Sequence, residues 1–319
     1  MKKIIIFTGD PNSVNSEIIF KCWKKISSSL KKKIYFISNF QLLKKQFRKL
    51  NYSLEMVKVN DIEEYPNVDK MKIFDVNFEF KNPFKIERKK TSIFIKKSLN
   101  IAHNFGMKKN VIGIINCAID KKLLNNKGYG VTEFLASKCK VKKDTEVMLI
   151  KGKKLSVSPI TTHLNLNNVS KKISKKTIIK KINTIHYWFK KIYKRKPKIA
   201  VLGLNPHNSE FTKTSEETRI ILPVVLKLKK RGINLKGPFA ADTIFINDYK
   251  NFDVVVGMYH DQVLAPFKTI FKFDAINITL GLKYLRASPD HGTAVNLIGK
   301  NKANPESLIQ CVKFFNNFS

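Results

Sequence analysis

The chain has 319 residues, long enough to bury a full core in one large or two ordinary α/β domains. Its hydrophobic content of 43% with 23 Phe is that of a globular protein, not of a disordered chain. The formal charge of +37 would suggest nucleic acid, yet it comes from 55 Lys and 6 Arg scattered over nearly every segment. Base and phosphate readers lean on the bidentate arginine fork. The surplus of Lys, Ile, Asn and Phe matches the codon supply of an AT-rich genome, so the charge reads as a solvated face with at most loose, salt-sensitive polyanion affinity.

Along the chain, the apolar run 4–7 follows Met1-Lys2-Lys3 but stops at Gly9-Asp10-Pro11, too soon for a secretion signal. No run approaches the ~20 apolar residues that span a bilayer, and a cytoplasmic, membrane-free protein is expected. Further strand-like runs fall at 34–37, 111–115, 147–150, 199–204 and 254–258. Helical stretches are expected at 16–30, 172–193 and 216–230, and a terminal one at 305–314. Thr214 with Glu217 would form a capping box for the third, and Pro223 should kink it or delay its start. The charged, Pro-containing segment 61–90 reads as an excursion or edge region, and 121–130 as a crossing between domains. Strands alternating with helices predict an α/β fold with a largely parallel sheet. Cys22, Cys117, Cys139 and Cys311 show no paired spacing, which suits unbridged thiols and excludes a cysteine-based zinc motif.

Two strand-like runs end alike. The run 199–204 leads into Asn205-Pro206-His207, and 254–258 into Tyr259-His260-Asp261. In open α/β sheets ligands bind beyond the carboxyl ends of strands. His163, after Ser158-Pro159-Ile160-Thr161-Thr162, is a third candidate for an open His₃ metal site, against the alternative that all three are hydrogen-bonded structural groups. His103 and His186 lie in lysine-rich helical stretches and are not expected to act. His291 precedes Gly292-Thr293, which fits either a nucleotide contact or a tight turn. Lys268 and Asn277 have bland readings as a surface charge and a turn residue. Arg286 stands out because arginine is scarce and its planar fork suits phosphate or carboxylate. Neither a G-x-G-x-x-G fingerprint nor a P-loop occurs.

Six ordered blocks carry a resemblance over nearly the whole chain. They are Thr161-Thr162-His163, Gly203-Leu204-Asn205-Pro206-His207, Gly237-Pro238 with Ala241-Asp242-Thr243, Met258-Tyr259-His260-Asp261-Gln262, Asn277-Ile278-Thr279-Leu280-Gly281-Leu282, and Asp290-His291-Gly292-Thr293-Ala294. In these the chain resembles the 4-hydroxythreonine-4-phosphate dehydrogenase family of pyridoxal phosphate (vitamin B6) biosynthesis. The resemblance implies the two-domain isopropylmalate/isocitrate dehydrogenase-like fold, which binds NAD without the Rossmann glycines. One domain would comprise 1–125 plus 270–319 and contribute to cofactor binding; the other, 126–269, would carry metal, substrate and dimer contacts.

The implied reaction is NAD- or NADP-dependent oxidation of 4-phosphooxy-L-threonine with decarboxylation to 3-amino-2-oxopropyl phosphate. By resemblance His163, His207 and His260 hold one divalent metal (zinc, magnesium or cobalt), in a site completed across a homodimer. Thr132, Lys268, Asn277 and Arg286 contact the substrate, with Lys268 also a charge stabiliser or proton donor. Asp290, His291, Gly292 and Thr293 are assigned to the cofactor. Asp242 is a candidate for proton transfer, as is a water molecule.

The departures from the family pattern are local. Ser13 and Asn15 replace glycines of the opening loop, and Val131 replaces a histidine before Thr132. Asn116-Cys117-Ala118 stands for Thr-Gly-Pro, with Asp120-Lys121 for the His-Lys pair that follows, and 208–212 replaces a glycine-rich run. Val131 keeps open a sister enzyme acting on threonate or erythronate phosphate. The charge keeps open a nucleic-acid-binding or lapsed enzyme, against which the unbroken histidine blocks speak.

Overall fold

The computed structural model describes residues 2–124, 130–141, 145–272 and 275–318. Half of the crossing point expected at 121–130, residues 125–129, therefore lies outside the described residues. The strands in chain order are β1 (Lys3–Phe7), β2 (Ile34–Ser38), β3 (Met56–Val59), β4 (Met71–Asp75), β5 (Val111–Asn116) and β6 (Val147–Lys151). They continue with β7 (Ser156–Pro159), β8 (Ile199–Leu202), β9 (Leu235–Phe239), β10 (Val254–Gly257), β11 (Ile276–Leu280) and β12 (Leu285–Pro289). The helices are α1 (Asn15–Lys25), α2 (Ser28–Lys33), α3 (Phe40–Lys49), α4 (Arg88–Gly106), α5 (Val131–Lys138) and α6 (Val169–Lys172). Then come α7 (Lys175–Tyr193), α8 (Leu222–Lys230), α9 (Ala241–Ile244), α10 (His260–Phe271) and α11 (Glu306–Asn316). No helix of the described residues is long and apolar enough to cross a membrane.

The chain forms two compact units, Met1–Lys140 with Leu282–Ser319, and Val141–Gly281. These limits fall later than the expected 125/126 and 269/270, so Thr132 belongs with the two termini, while α10 and β11 stay in the central unit.

In the terminal unit the strand order is β3-β4-β2-β1-β5-β12, all parallel. Each residue of β1 and β2 is buried, which is why both read as unbroken apolar runs. The segment 61–90 is not merely an excursion. It contains β4, paired on both sides with β2 and β3, and α4 begins at Arg88. Lys72 in the middle of β4 masks the strand in the sequence, yet it is fully buried. Its Nζ donates to the carbonyls of Lys32 (2.6 Å) and Val68 (3.4 Å) and lies 4.5 Å from the Tyr35 ring centre.

Burial holds Lys72 well below the usual lysine range, at about 8, with Asp69 opposing and Lys3 adding to the shift. Between about pH 8 and the ordinary value of 10.5 the unfolded chain binds the proton that the folded one releases, so folding stability rises with pH across that window. The Lys72→Met variant should lack this pH-dependent rise, which amounts to at most about 3 kcal/mol. Denaturant midpoints of both proteins from pH 7 to 11 check this, and parallel curves would contradict it.

In the central unit the order is β11-β6-β7-β10-β8-β9. β6 runs antiparallel to β11 and β7, while β7, β10, β8 and β9 are mutually parallel. Ile150, Val157, Ala200, Leu202 and Val255 from the sheet pack with Ile244, Val263, Leu264 and Phe267 from α9 and α10. The expected helix at 216–230 is a π-helical turn at Glu217–Ile221 followed by α8, with Pro223 in its first turn, where a missing N–H costs nothing. The Thr214–Glu217 capping box does not form. Thr218 N–H donates instead to Ser215 Oγ at 3.3 Å, and the Glu217 carboxylate is buried against the turn after β8.

Candidate active site

Four neighbouring parallel strands of the central unit end along one edge, and each leads into a polar residue singled out above. β7 leads to His163, β10 to His260, β8 to His207 and β9 to Asp242. Their carboxyl ends are stitched together by hydrogen bonds. Ile160 and Thr161 N–H donate to the carbonyls of Gly257 and Met258 at 2.8 and 3.1 Å. Gly203 N–H donates to Phe239 O at 2.9 Å.

The His163 and His260 rings stand 5.8 Å apart, centre to centre. His260 Nδ1 faces Asp261 Oδ1 at 2.6 Å, so that nitrogen carries the proton and Nε2 keeps the lone pair a metal needs. Metal–imidazole bonds of roughly 2.1 Å put two rings that share an ion roughly 5–6.5 Å apart, so this pair fits a divalent ion. His207 does not join them to form a complete set within one chain. Among the described residues no group of three His, Cys, Asp or Glu could hold a metal ion. His207 Nε2 instead lies 3.8 Å from Asp242 Oδ2, and Nδ1 lies 3.6 Å from Glu210 Oε1.

The turn carrying His207 takes an unusual path. Residues 207–211 all have left-handed backbone angles, φ 47–56°, without one glycine. A left-handed residue with a side chain costs about 1–2 kcal/mol, so the glycines usual here are replaced at a conformational cost. Glu217 supports the turn, accepting Leu204 N–H at 2.7 Å and Asn205 N–H at 2.9 Å. Nothing in the sequence pattern pointed to Glu217 in that role, because its spacing from Thr214 imitated a helix cap.

Lys268 lies exposed on α10. Asn277 sits on β11, and its Oδ1 is buried without a hydrogen-bond partner, an acceptor left for a ligand.

In the terminal unit Arg286 lies on β12 and is buried, with Nε donating to Asn116 Oδ1 at 2.7 Å and Nη1 3.5 Å from Thr132 Oγ1. Burial pulls its guanidinium down to about 10, with Glu133 among the groups opposing. Asn116, read above only as a departure, is thus what orients the fork. Thr132 opens α5, where Glu133 accepts Gly130 N–H at 2.9 Å.

The segment 290–293 follows the end of β12. Val14 N–H donates to Thr293 O at 3.1 Å, and Asp290 N–H to Ser307 Oγ at 2.9 Å. His291 Nδ1 turns to Gly292 O at 2.9 Å, its Nε2 is buried without a partner, and burial lowers its pKa, so the ring is a neutral acceptor. A methyl group added at Gly292 would meet nothing within 4 Å, so the space beside it is open. Ser13 and Asn15 brace the nearby loop: Ser13 Oγ donates to Asp10 O at 2.5 Å and Asn15 Nδ2 to Ala118 O at 2.8 Å. His103 is structural, its Nδ1 3.0 Å from Tyr284 OH.

The two α/β units thus carry polar residues past the carboxyl ends of parallel strands, without a Rossmann fingerprint. A solved isocitrate dehydrogenase from Methylococcus capsulatus shares this fold at 11% identity, with a TM-score of 0.51 over 100% of this chain and 86% of that one. Residues 29–315 match the family model of the pyridoxal phosphate biosynthetic protein PdxA, and the chain belongs to that family, the 4-hydroxythreonine-4-phosphate dehydrogenases. It is 36% identical to the 4-hydroxythreonine-4-phosphate dehydrogenase of Sulfurihydrogenibium sp. (strain YO3AOP1), over 98% of this chain and 97% of that one. The crystal structure of the Klebsiella pneumoniae enzyme of that name superposes with a TM-score of 0.86 at 26% identity, covering 99% of both chains.

Proposed function

We propose that the protein oxidises 4-phosphooxy-L-threonine with NAD or NADP and one divalent ion, and that decarboxylation to 3-amino-2-oxopropyl phosphate follows. The observation that carries this reading is the row of four parallel strand ends leading to His163, His260, His207 and Asp242, in a chain whose relatives bear that enzyme's name. His163 and His260 supply two imidazoles, and His207 the third, in a homodimer whose chains share the site. Bound there, the ion supplies Lewis acidity at the substrate hydroxyl. Arg286, with Thr132, grips an anionic end of the substrate. Asn277 orients it through its unpartnered carbonyl oxygen. The reacting carbon is thereby held for hydride loss to the nicotinamide. The 290–293 segment takes the cofactor, the neutral His291 accepting a hydrogen bond. The oxidised product is a β-keto acid, which sheds CO₂ once its carbonyl oxygen is stabilised, the role assigned to Lys268. Asp242, beside His207, moves the proton. Neither specific nucleic acid nor membrane is a partner in this reading, and the cytoplasm is its setting.

The test is NAD(P) reduction, with metal supplied, on 4-phosphooxy-L-threonine beside the 4-phosphates of threonate and erythronate. Preference for either of the latter would overturn the substrate assignment. Val131 supplies an internal check, since an aliphatic side chain cannot donate to the substrate. A hydrogen bond to a charged group is worth about 1.5–3 kcal/mol, so Val131→His should lower KM for 4-phosphooxy-L-threonine roughly ten- to hundredfold at unchanged metal affinity. Unchanged KM would mean another group has taken the role or the substrate differs.

A further inference from the structure

The side chain of Gln262 joins the two turns that carry His260 and His207. It lies in the first turn of α10 and is 9% exposed. Its Oε1 accepts Met258 N–H at 2.7 Å, and its Nε2 donates to Gly203 O at 2.8 Å. Met258 precedes His260 by two residues; Gly203 opens the turn that leads to His207. A backbone N–H can only donate and a carbonyl only accept, so the orientation of the amide is fixed by its partners.

The two strand ends are closely packed, one of them against this side chain. A Cβ at Gly257 would come within 2.9 Å of Gln262 Oε1, and one at Gly203 within 2.0 Å of Asn208 Oδ1. Thr161 Oγ1 donates to Met258 O at 2.8 Å, which extends the chain of contacts to the segment bearing His163. Thr161, Met258, Gln262, Gly203 and Phe239 thus link the carboxyl ends of β7, β10, β8 and β9.

We propose that Gln262 is a positioning residue for the metal centre, holding the His207 turn in register with the His163–His260 pair. This rests on the three-histidine reading above. It requires one side chain that donates and accepts at once, at a length only glutamine supplies; methionine has nearly the same reach and shape but donates nothing. With methionine, Met258 N–H and Gly203 O lose their buried partner, and the two turns are free to shift independently.

The test uses the metal-free full-length protein titrated with cobalt(II), followed by visible absorption and calorimetry, for wild type, Gln262→Met, His207→Ala and the double variant. Loss of a partner that orients metal ligands typically costs roughly 10- to 100-fold in metal affinity, and that loss is expected for Gln262→Met. In the His207→Ala background the same substitution should cost less, only what it does through the His260 turn, whereas a merely structural role would cost the same in both backgrounds. Wild-type affinity in Gln262→Met, with His207→Ala impaired, would sink the role of Gln262 alone. Wild-type affinity in His207→Ala would sink the three-histidine reading and this inference with it. Should Gln262→Met fail to fold, hydrogen exchange on the wild type decides. The Met258 amide is expected to be protected like the β10 core, and loop-like exchange there would overturn the proposal.

Discussion

Alanine at His260 is expected to cut turnover by at least about a thousandfold, a loss of about 4 kcal/mol of transition-state stabilisation. The melting temperature of the metal-free protein should stay within a few degrees of wild type. The ring is about one-third exposed (32%) and hydrogen-bonds to Asp261, itself 83% exposed, so its removal opens no core cavity. His163→Ala and His207→Ala should behave alike, since both side chains are exposed. Metal content by elemental analysis would fall with activity in each case. If the ligands of one ion come from two chains, mixing inactive variants should restore part of the activity in at least one pairing. Full turnover by His260→Ala would end the metal assignment, and failure of every mixed pair would end the shared site.

Arg286 should show the second large effect, and on substrate use instead of metal binding. Its fork is buried, oriented by Asn116 and directed toward Thr132. Charge-assisted hydrogen bonds contribute about 1.5–3 kcal/mol each. Losing two of them to an anionic group predicts a fall in kcat/KM of roughly 10²- to 10⁴-fold for Arg286→Ala, carried mainly by KM. Arg286→Lys should rescue little, because an ammonium group cannot reproduce the planar two-pronged contact. Asn116→Ala, which keeps the fork but frees its orientation, should fall between wild type and Arg286→Ala. Cobalt(II) affinity should be unchanged throughout. Steady-state kinetics with varied substrate measure all of this, and a KM within twofold of wild type for Arg286→Lys would remove Arg286 from the substrate contacts.

The parts of this molecule legible in its sequence are those decided locally. Strands β1, β2, β5, β8 and β10 are apolar runs because both faces of a parallel sheet are buried, and the punctuation after β8 and β10 exposed His207 and His260 as residues past strand ends. The six motif blocks identified the family, and with it the fold. Where a charged side chain contradicts its surroundings, the local signal misled. Lys72 hid β4, because a lysine in a strand is read as exposed until the carbonyls of Lys32 and Val68 are seen to receive it.

Non-local pairing settled the remainder. Glu217 stands at cap spacing from Thr214, but the unpaired N–H groups of Leu204 and Asn205, more than ten residues earlier, compete for its carboxylate and win. Asn116 reads as a lost family residue until Arg286, 170 positions away, is found on its oxygen. That β7, β10, β8 and β9 lie side by side, and so present His163, His260, His207 and Asp242 along one edge, depends on hydrogen bonds between strands up to about a hundred residues apart in the chain. Residue types and the ends of strands are properties of short windows. Which strand ends become neighbours is decided by pairing and core packing across the whole unit, and that adjacency turns scattered histidines into a site.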